Sequence, residues 1–356
     1  MGEKFAYRRG KMNINDFKLR LRDGNIAGWY IFAGEEEYLK RYYRAEIEKI
    51  AVADEGLATF NHTVFDGADM NILALREALY APPMMADYKL VEWRHADIDK
   101  MKESELRVLE ELFSERESLS YTILLITANA DGFDTGTEKK RSKLYTRLSE
   151  GFDILVFEKS TDPQLLAWLK RHFTSEGLGI DADALNTMLF RVGHSMQTLR
   201  EEVIKLSAWA KANGRKYITA YDVIETCSAT VECDAFAISN AIIEKNVEKA
   251  FLALADMKQN RVDPQAAIAQ LSKVYGDLLS ISLLMDEGRE SKDIEAIMSF
   301  HPYRLKLYMG AAKKIGTEKL AESLSSLVRI DSESKAGGAR GFRAVEMFIT
   351  QNISVN

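Results

Sequence analysis

The stretch Trp29-Tyr30-Ile31-Phe32-Ala33-Gly34-Glu35-Glu36-Glu37-Tyr38-Leu39 constrains the chain most. An apolar run reaches a glycine, and a charged helical pattern follows at once. That is the opening of a βαβ unit: a buried strand, a tight turn, a helix. In many nucleotide-binding folds this turn holds a phosphate. Backbone N–H groups at the helix N-terminus point at the anion and a lysine reaches over it. Here Gly34 is followed by Glu35, Glu36 and Glu37. Carboxylates suit the positive end of a helix dipole but repel phosphate. Neither GxxxxGK[ST] nor GxGxxG occurs in the chain. The stretch reads as a nucleotide-binding scaffold that has lost its nucleotide, and no cofactor is expected. The plain alternative is an ordinary acidic first turn on an unrelated α/β protein.

The rest of the first 159 residues alternates in the same way. A loose leader over residues 1–12 precedes a helix from Met12 to Leu21. The Trp29–Ala33 strand comes next, then a helix from about Glu36 to Ala53. His62–Phe65 is a second strand, and Asn71–Leu79 is helical until Ala81-Pro82-Pro83 breaks it. Lys89–Trp93 is a third strand, and Leu106, Leu109, Leu112 and Phe113 mark another helix. Tyr121–Thr127 is apolar on both faces, as at the centre of a parallel sheet. Ile154–Phe157 is the fifth strand. Strands alternating with helices predict a doubly wound, five-stranded parallel α/β domain over 1–159.

After Ser160 the strand signals stop. Asp162-Pro163 opens a helix, with Asp162 as N-cap. Asp181, Ser195 and Thr219 cap three more, Asp222 standing in a capping box with Thr219. Residues 160–228 read as a small helical domain. From Val231 the pattern is helical again, with starts at Asp263-Pro264, Pro302 and Thr317 and a last helix over Phe342–Ile349. Residues 229–356 read as a helical bundle. A chain of 356 residues is expected to hold two or three such domains.

The search for chemistry returns little. No HExxH, no GxSxG and no metal-ligand cluster occurs. The histidines His62, His95, His172, His194 and His301 are scattered and read as solvated or satisfied residues. Asp97/Asp99 and Asp131/Asp134 read as solvated loop carboxylates, so no catalytic residue and no metal site is expected. The two cysteines, Cys227 and Cys233, fit no zinc or redox spacing and suggest a reducing, cytoplasmic setting. No run of about 18 apolar residues occurs, so no membrane span is expected. The net charge of −6 argues against a free-standing nucleic-acid binder, though not against a local basic face.

Two stretches stand out. In Tyr80-Ala81-Pro82-Pro83-Met84-Met85-Ala86-Asp87 a proline-stiffened loop carries adjacent methionines. It is either an adhesive surface or a loop packed under the next strand. In Thr137-Glu138-Lys139-Lys140-Arg141-Ser142-Lys143 four basic residues open a helix at the ligand-facing end of the sheet. They would meet DNA phosphates or an acidic partner, or form a solvated face. Lys313/Lys314 and the loop from Lys335 to Gly341 are similar, weaker candidates.

The order of these motifs resembles the delta-subunit family of the bacterial DNA polymerase III clamp loader over essentially the whole chain. The matching residues are Ile31 to Leu39, Phe65-Asp66-Gly67-Ala68-Asp69, Leu75-Arg76-Glu77-Ala78-Leu79 and Pro82-Pro83-Met84-Met85. They continue with Lys89-Leu90-Val91, Lys139 to Tyr145, Glu202 to Leu206, Ile218-Thr219 with Asp222-Val223, and Asp331 with Lys335. The resemblance implies an AAA+-like first domain without a working nucleotide site, a helical lid and a collar bundle. It implies a hetero-pentamer with gamma/tau and delta prime subunits. In it this chain binds and opens the sliding clamp (beta) for loading onto primed DNA, with no catalytic site of its own inside a polymerase complex of nucleotidyltransferase class. Pro83, Met84 and Met85 occupy the clamp-binding element, where the family more often has Leu-Phe. Gly34, Glu35, Glu36 and Glu37 occupy the degenerate phosphate loop. Lys139, Lys140, Arg141 and Lys143 would touch DNA or a neighbouring subunit. Two other readings stand beside this one: an ATP-hydrolysing motor subunit with a degenerate site, and a non-catalytic helical scaffold.

Overall fold

A computed structural model describes residues 12–52, 54–67, 70–336 and 341–354. Most of the expected leader, Ala53, Ala68-Asp69 and the loop residues 337–340 lie outside them. The chain divides into two compact units, Met1–Ser160 and Thr161–Asn356.

The first unit runs α1 (Ile14–Arg22), β1 (Trp29–Ala33), α2 (Glu37–Ala51), α3 (Ala58–Asn61), β2 (His62–Asp66) and α4 (Ile72–Tyr80). It continues with β3 (Lys89–Ala96), α5 (Glu103–Glu111), β4 (Thr122–Ala128), α6 (Lys143–Leu148) and β5 (Asp153–Val156). The five strands are all parallel, in the order β2-β3-β4-β1-β5. β1 and β4 are buried along their whole length, as strands covered on both faces must be. Alternate residues of each strand feed different cores. Trp29, Ile31, Val91, Trp93, Leu124 and Ile126 pack with α4, α5 and α6. Tyr30, Phe32, Leu90, Ile123, Leu125 and Leu155 pack with Phe17 of α1 and Tyr43 and Ile47 of α2. The sheet is therefore doubly wound, and β2 forms one of its edges.

The second unit opens with α7 (Asp162–Ser175), β6 (Gly179–Ile180), α8 (Ala182–Val192), α9 (Met196–Ala212), β7 (Tyr217–Ile218) and α10 (Ala220–Thr226). Then come α11 (Val231–Ile243), α12 (Val247–Gln259), α13 (Pro264–Asp286), α14 (Ser291–Met298), α15 (Pro302–Ile315), α16 (Thr317–Lys335) and α17 (Arg343–Ser354). The capping box of Thr219 and Asp222 forms. Three expectations are corrected. Thr161, not Asp162, is the N-cap of α7, and its N–H donates to Gln164 Oε1 at 2.8 Å. Strands do occur after Ser160: β6 and β7 form a short parallel pair, Gly179 opposite Tyr217 and Ile180 opposite Ile218. The eight-residue α14, anchored by buried Ile294, was not anticipated.

α13 runs through the middle of the last seven helices and buries Ile268, Leu271, Val274, Tyr275, Leu278 and Ile281 in their common core. α8 joins the two helical groups of this unit. Thr230 N–H donates to the Arg191 carbonyl at 2.7 Å, Arg191 Nε–H donates to the Cys227 carbonyl at 2.7 Å, and the Thr187 hydroxyl meets the Tyr303 hydroxyl at 3.0 Å. Cys227 and Cys233 are buried free thiols, which burial pushes up to about 12 and about 11.

Candidate functional site

The turn after β1 lies at the carboxyl end of the parallel sheet, where open α/β sheets bind ligands. Gly34 adopts φ +95°, and a Cβ there would lie 2.3 Å from the Phe157 carbonyl oxygen. The same carbonyl accepts the Glu36 N–H at 2.9 Å. Glu37 N–H turns back to the Glu35 carbonyl at 3.0 Å, and Glu36 Oε1 accepts the Tyr38 N–H at 3.3 Å. Amides that could cradle a phosphate are thus satisfied by the chain itself. Glu36 is nearly buried, and burial raises its carboxyl above the ordinary range against the opposing pull of the Tyr38 amide.

A lysine does stand at the phosphate-loop spacing, six residues after Gly34, although the full motif is missing. Lys40 is fully buried; its ammonium donates to the Ala128 carbonyl at 2.8 Å and pairs with Glu37 at 2.6 Å. It ties α2 to the end of β4. A cavity of about 610 Å³ opens beside the turn, lined by Gly34, Glu35, Asp99, Asp131, Asp134, Glu158 and Lys159 among others. Lys159 is already paired with Glu35 at 3.0 Å. A triphosphate entering here would meet an excess of carboxylates.

The loop between α4 and β3 is built differently. α4 buries Ile72, Leu75 and Leu79 and stops at Tyr80, because Pro82 and Pro83 cannot continue a helix. Its last carbonyls are taken at the start of β4: Thr122 Oγ1 donates to Leu79 O at 3.1 Å and the hydroxyl of Tyr121, just before that strand, to Tyr80 O at 3.3 Å. Beyond it Met84 is 47% exposed and Met85 90% exposed. The two methionines do not pack under the next strand. Asn61, 2% exposed, grips Met84 on both sides: Met84 N–H donates to Oδ1 at 2.6 Å and Nδ2–H donates to Met84 O at 2.8 Å. Met85 then sits in the left-handed region at φ +51°. Phe60, Val64 and Leu73, on α3, β2 and α4, are also exposed.

The basic run does not open a helix as expected. Ser142 is the N-cap of α6, so only Lys143 belongs to it. Lys139, Lys140 and Arg141 lie in a turn closed by the Gly136–Arg141 bridge and by hydrogen bonds between Thr137 and Lys140. Arg141 stacks on the Tyr145 ring at 4.6 Å. Lys139, Lys140 and Lys143 are exposed and make no ion pair among the described residues. The turn follows β4 and faces the same end of the sheet as the Gly34 turn.

Every histidine has a partner. His62 Nε2 meets buried Glu92 at 3.2 Å and His95 meets Asp66 at 2.6 Å. His172 meets the Trp168 carbonyl at 2.9 Å, His194 meets Asp162 at 2.9 Å, and His301 accepts the Tyr303 N–H at 3.3 Å. Asp99 accepts the Asp134 N–H at 2.7 Å. Among the described residues no group of three His, Cys, Asp or Glu side chains could hold a metal ion. No described helix is long and apolar enough to cross a membrane.

The family model described as DNA polymerase III, delta subunit, matches residues 30–150, and the one for the delta subunit's C-terminal domain matches 232–352. The chain belongs to the DNA polymerase III delta-subunit family. It is similar to the DNA polymerase III subunit delta of Bacillus subtilis (strain 168), at 22% identity over 340 residues, 94% of this chain and 96% of that protein. A probable DNA polymerase III subunit delta of Aquifex aeolicus (strain VF5) is 23% identical over 322 residues, 86% of this chain and 85% of that one. The solved Bacillus subtilis DNA clamp loader delta protein matches with a TM-score of 0.59 at 20% identity, over 95% of this chain and 99% of that chain. That likeness speaks for the fold. The fold class read from the sequence, a doubly wound five-stranded parallel sheet domain followed by helical segments, is borne out. Three features mark this delta-family chain: a plugged phosphate turn, a buried Lys40 and a clasped, exposed methionine pair. Of these, the Asn61 clasp carries no sequence signal, because its partner lies 23 residues away.

Proposed function

We propose that this chain is the clamp-loader subunit that binds the sliding clamp and stabilises its open form for loading onto primed DNA. The observation that carries the reading is the exposure of Met84 and Met85, at the position of the family's clamp-binding motif. With Pro83 stiffening the loop, the two side chains would enter an apolar pocket on the clamp as anchor residues. Ring opening needs no more than a higher affinity for the open than for the closed clamp. The chain contributes binding energy and no chemistry, inside a polymerase complex whose nucleotidyl transfer belongs to another subunit. ATP acts on neighbouring gamma/tau subunits. Residues 160–228 serve as the lid, and 229–356 as the collar that joins them and delta prime in a cytoplasmic hetero-pentamer. The exposed Lys139, Lys140 and Lys143, with Arg141, face DNA phosphates or an acidic neighbour. An ATP-hydrolysing role is the weaker reading: Lys40 is committed to a carbonyl and a carboxylate, and the cavity beside it is acidic.

The test is binding of the purified chain to the sliding clamp of the same organism, without nucleotide. Burying two methionine side chains contributes about 3–4 kcal/mol, so Met84→Ala/Met85→Ala should weaken binding by about 10² to 10³. Binding that survives the double substitution sinks the site. A folded wild-type chain that does not bind favours the scaffold reading.

A further inference from the structure

We propose that Asn61 is the positioning residue of the clamp-binding loop, holding Met84 and Met85 in a binding-competent arrangement before the clamp arrives. The inference rests on the reading of Met84 and Met85 as clamp anchors. Asn61 is the last residue of α3 and is 2% exposed, next to the first residue of the edge strand β2. An asparagine amide carries an NH₂ donor group and a carbonyl acceptor side by side, and here both face a single residue. Oδ1 takes the Met84 N–H at 2.6 Å and Nδ2 gives its proton to Met84 O at 2.8 Å. The loop backbone is thus paired as a strand would be, by one side chain. Among the described residues, 81–87 make no hydrogen bond other than these two.

The consequence falls on the side chains. With Met84 held at both backbone groups, its side chain projects outward at 47% exposure. Met85 takes up a left-handed backbone at φ +51°, a conformation that non-glycine residues adopt only when their surroundings impose it, and its side chain stands 90% exposed. Without the clasp this strain would relax and the loop would sample many arrangements. Apparent affinity would then fall by the fraction of molecules that still present both methionines. Two hydrogen bonds from the lower half of the ordinary net range correspond to about a tenfold loss.

The experiment compares the full-length wild type with Asn61→Asp and Asn61→Ala, each also combined with Met84→Ala/Met85→Ala. Clamp affinity and hydrogen exchange of the Met84 amide are both read. Asn61→Asp keeps the volume and the acceptor for the Met84 N–H but sets an oxygen against the Met84 carbonyl. Asn61→Ala removes both bonds, and serves alone if the buried carboxylate unfolds the unit. Protection of the Leu124 amide in the middle of β4 reports that the fold persists. The expected result is clamp binding about tenfold weaker, Met84 exchange at least tenfold faster in Asn61→Ala, which removes the acceptor, Leu124 unchanged, and no further loss of binding in the methionine-free background. Full-strength binding by either folded variant overturns the inference while leaving the clamp site standing. An equal loss with and without the methionines also overturns it, since the effect would then be general. A folded wild type that fails to bind overturns the functional reading itself, and this inference with it.

Discussion

Gly34 and Gly67 offer a matched pair. Their φ angles are nearly identical, +95° and +94°, but their surroundings differ. A Cβ on Gly34 would lie 2.3 Å from the Phe157 carbonyl oxygen, 2.7 Å from its carbon and 2.9 Å from its nitrogen, whereas a Cβ on Gly67 would meet nothing within 4 Å. Alanine at either position carries the cost of a positive φ, about 1–2 kcal/mol. At Gly34 the segment after β5 must also retreat. That strains the bonds from Phe157 N–H to Ala33 O at 2.8 Å and from Glu36 N–H to Phe157 O at 2.9 Å. Backbone against backbone cannot be relieved by a rotamer change, so a further 1–3 kcal/mol, roughly, is expected. Gly34→Ala should therefore cost about 2–5 kcal/mol, centred between about 3 and 4, and Gly67→Ala about 1–2 kcal/mol. Because the chain has two units, a single unfolding curve is ambiguous, and amide hydrogen exchange is the better assay. Exchange at Phe157 and Glu36 should accelerate by about 10² to 10³ in Gly34→Ala and by about tenfold or less in Gly67→Ala. Equal effects at the two sites would refute the reasoning: Gly34 would then be demanded by its φ alone.

Asp234 of α11 is 3% exposed, and its Oδ2 finds no hydrogen-bond partner. Burial first, then the Asp256 carboxylate, push it from 3.8 up to about 7 against the pull of Arg191. A carboxyl raised in the folded state stabilises below pH 4, and that contribution is lost as pH rises through about 7. Asp234→Asn should be neutral near pH 4 and gain about 2–4 kcal/mol at pH 8, read from the urea transition of the second unit, followed by exchange of its buried amides; an equal gain at both pH values would contradict this. Lys139→Glu/Lys140→Glu should leave clamp binding unchanged. It should weaken association of the assembled loader with primed DNA, with a shallower salt dependence; unaltered DNA association across salt would exclude a DNA contact by this turn.

Several parts of this structure were legible along the chain. The Trp29–Ala33 strand has the bounds expected of it, and Asp181, Ser195 and Thr219 cap the helices they were assigned. These are local properties. Apolar periodicity, a capping hydroxyl and a proline without an N–H act on residues within a few positions of themselves. The failures share the opposite character. β6 and β7 have two residues each, too few to display an alternation, and exist because they pair with each other. α14 spans only eight residues and buries only Ile294, too short a run for apolar spacing to mark it off from the loops around it. The basic run looked helical by composition, but Ser142 sets the helix start after it. Lys40 carries no local signal, because its neighbours lack the glycine and hydroxyl of the phosphate-loop motif and its burial against Ala128 depends on a residue 88 positions away.

The division follows from what each level of structure can reach. By itself the sequence determined that β1 and β4 lie inside a parallel sheet, that Gly34 turns the chain into α2, and which family the order of motifs belongs to. It also limited the phosphate turn, by placing carboxylates where a phosphate would need donors. Only the tertiary structure decided that Trp29 lies opposite Leu124, that the Phe157 carbonyl plugs the Gly34 turn, and that Asn61 holds Met84 open to solvent. Backbone dihedrals and periodicity are settled between neighbours. Close approach, desolvation and the pairing of buried polar groups exist only once distant segments meet.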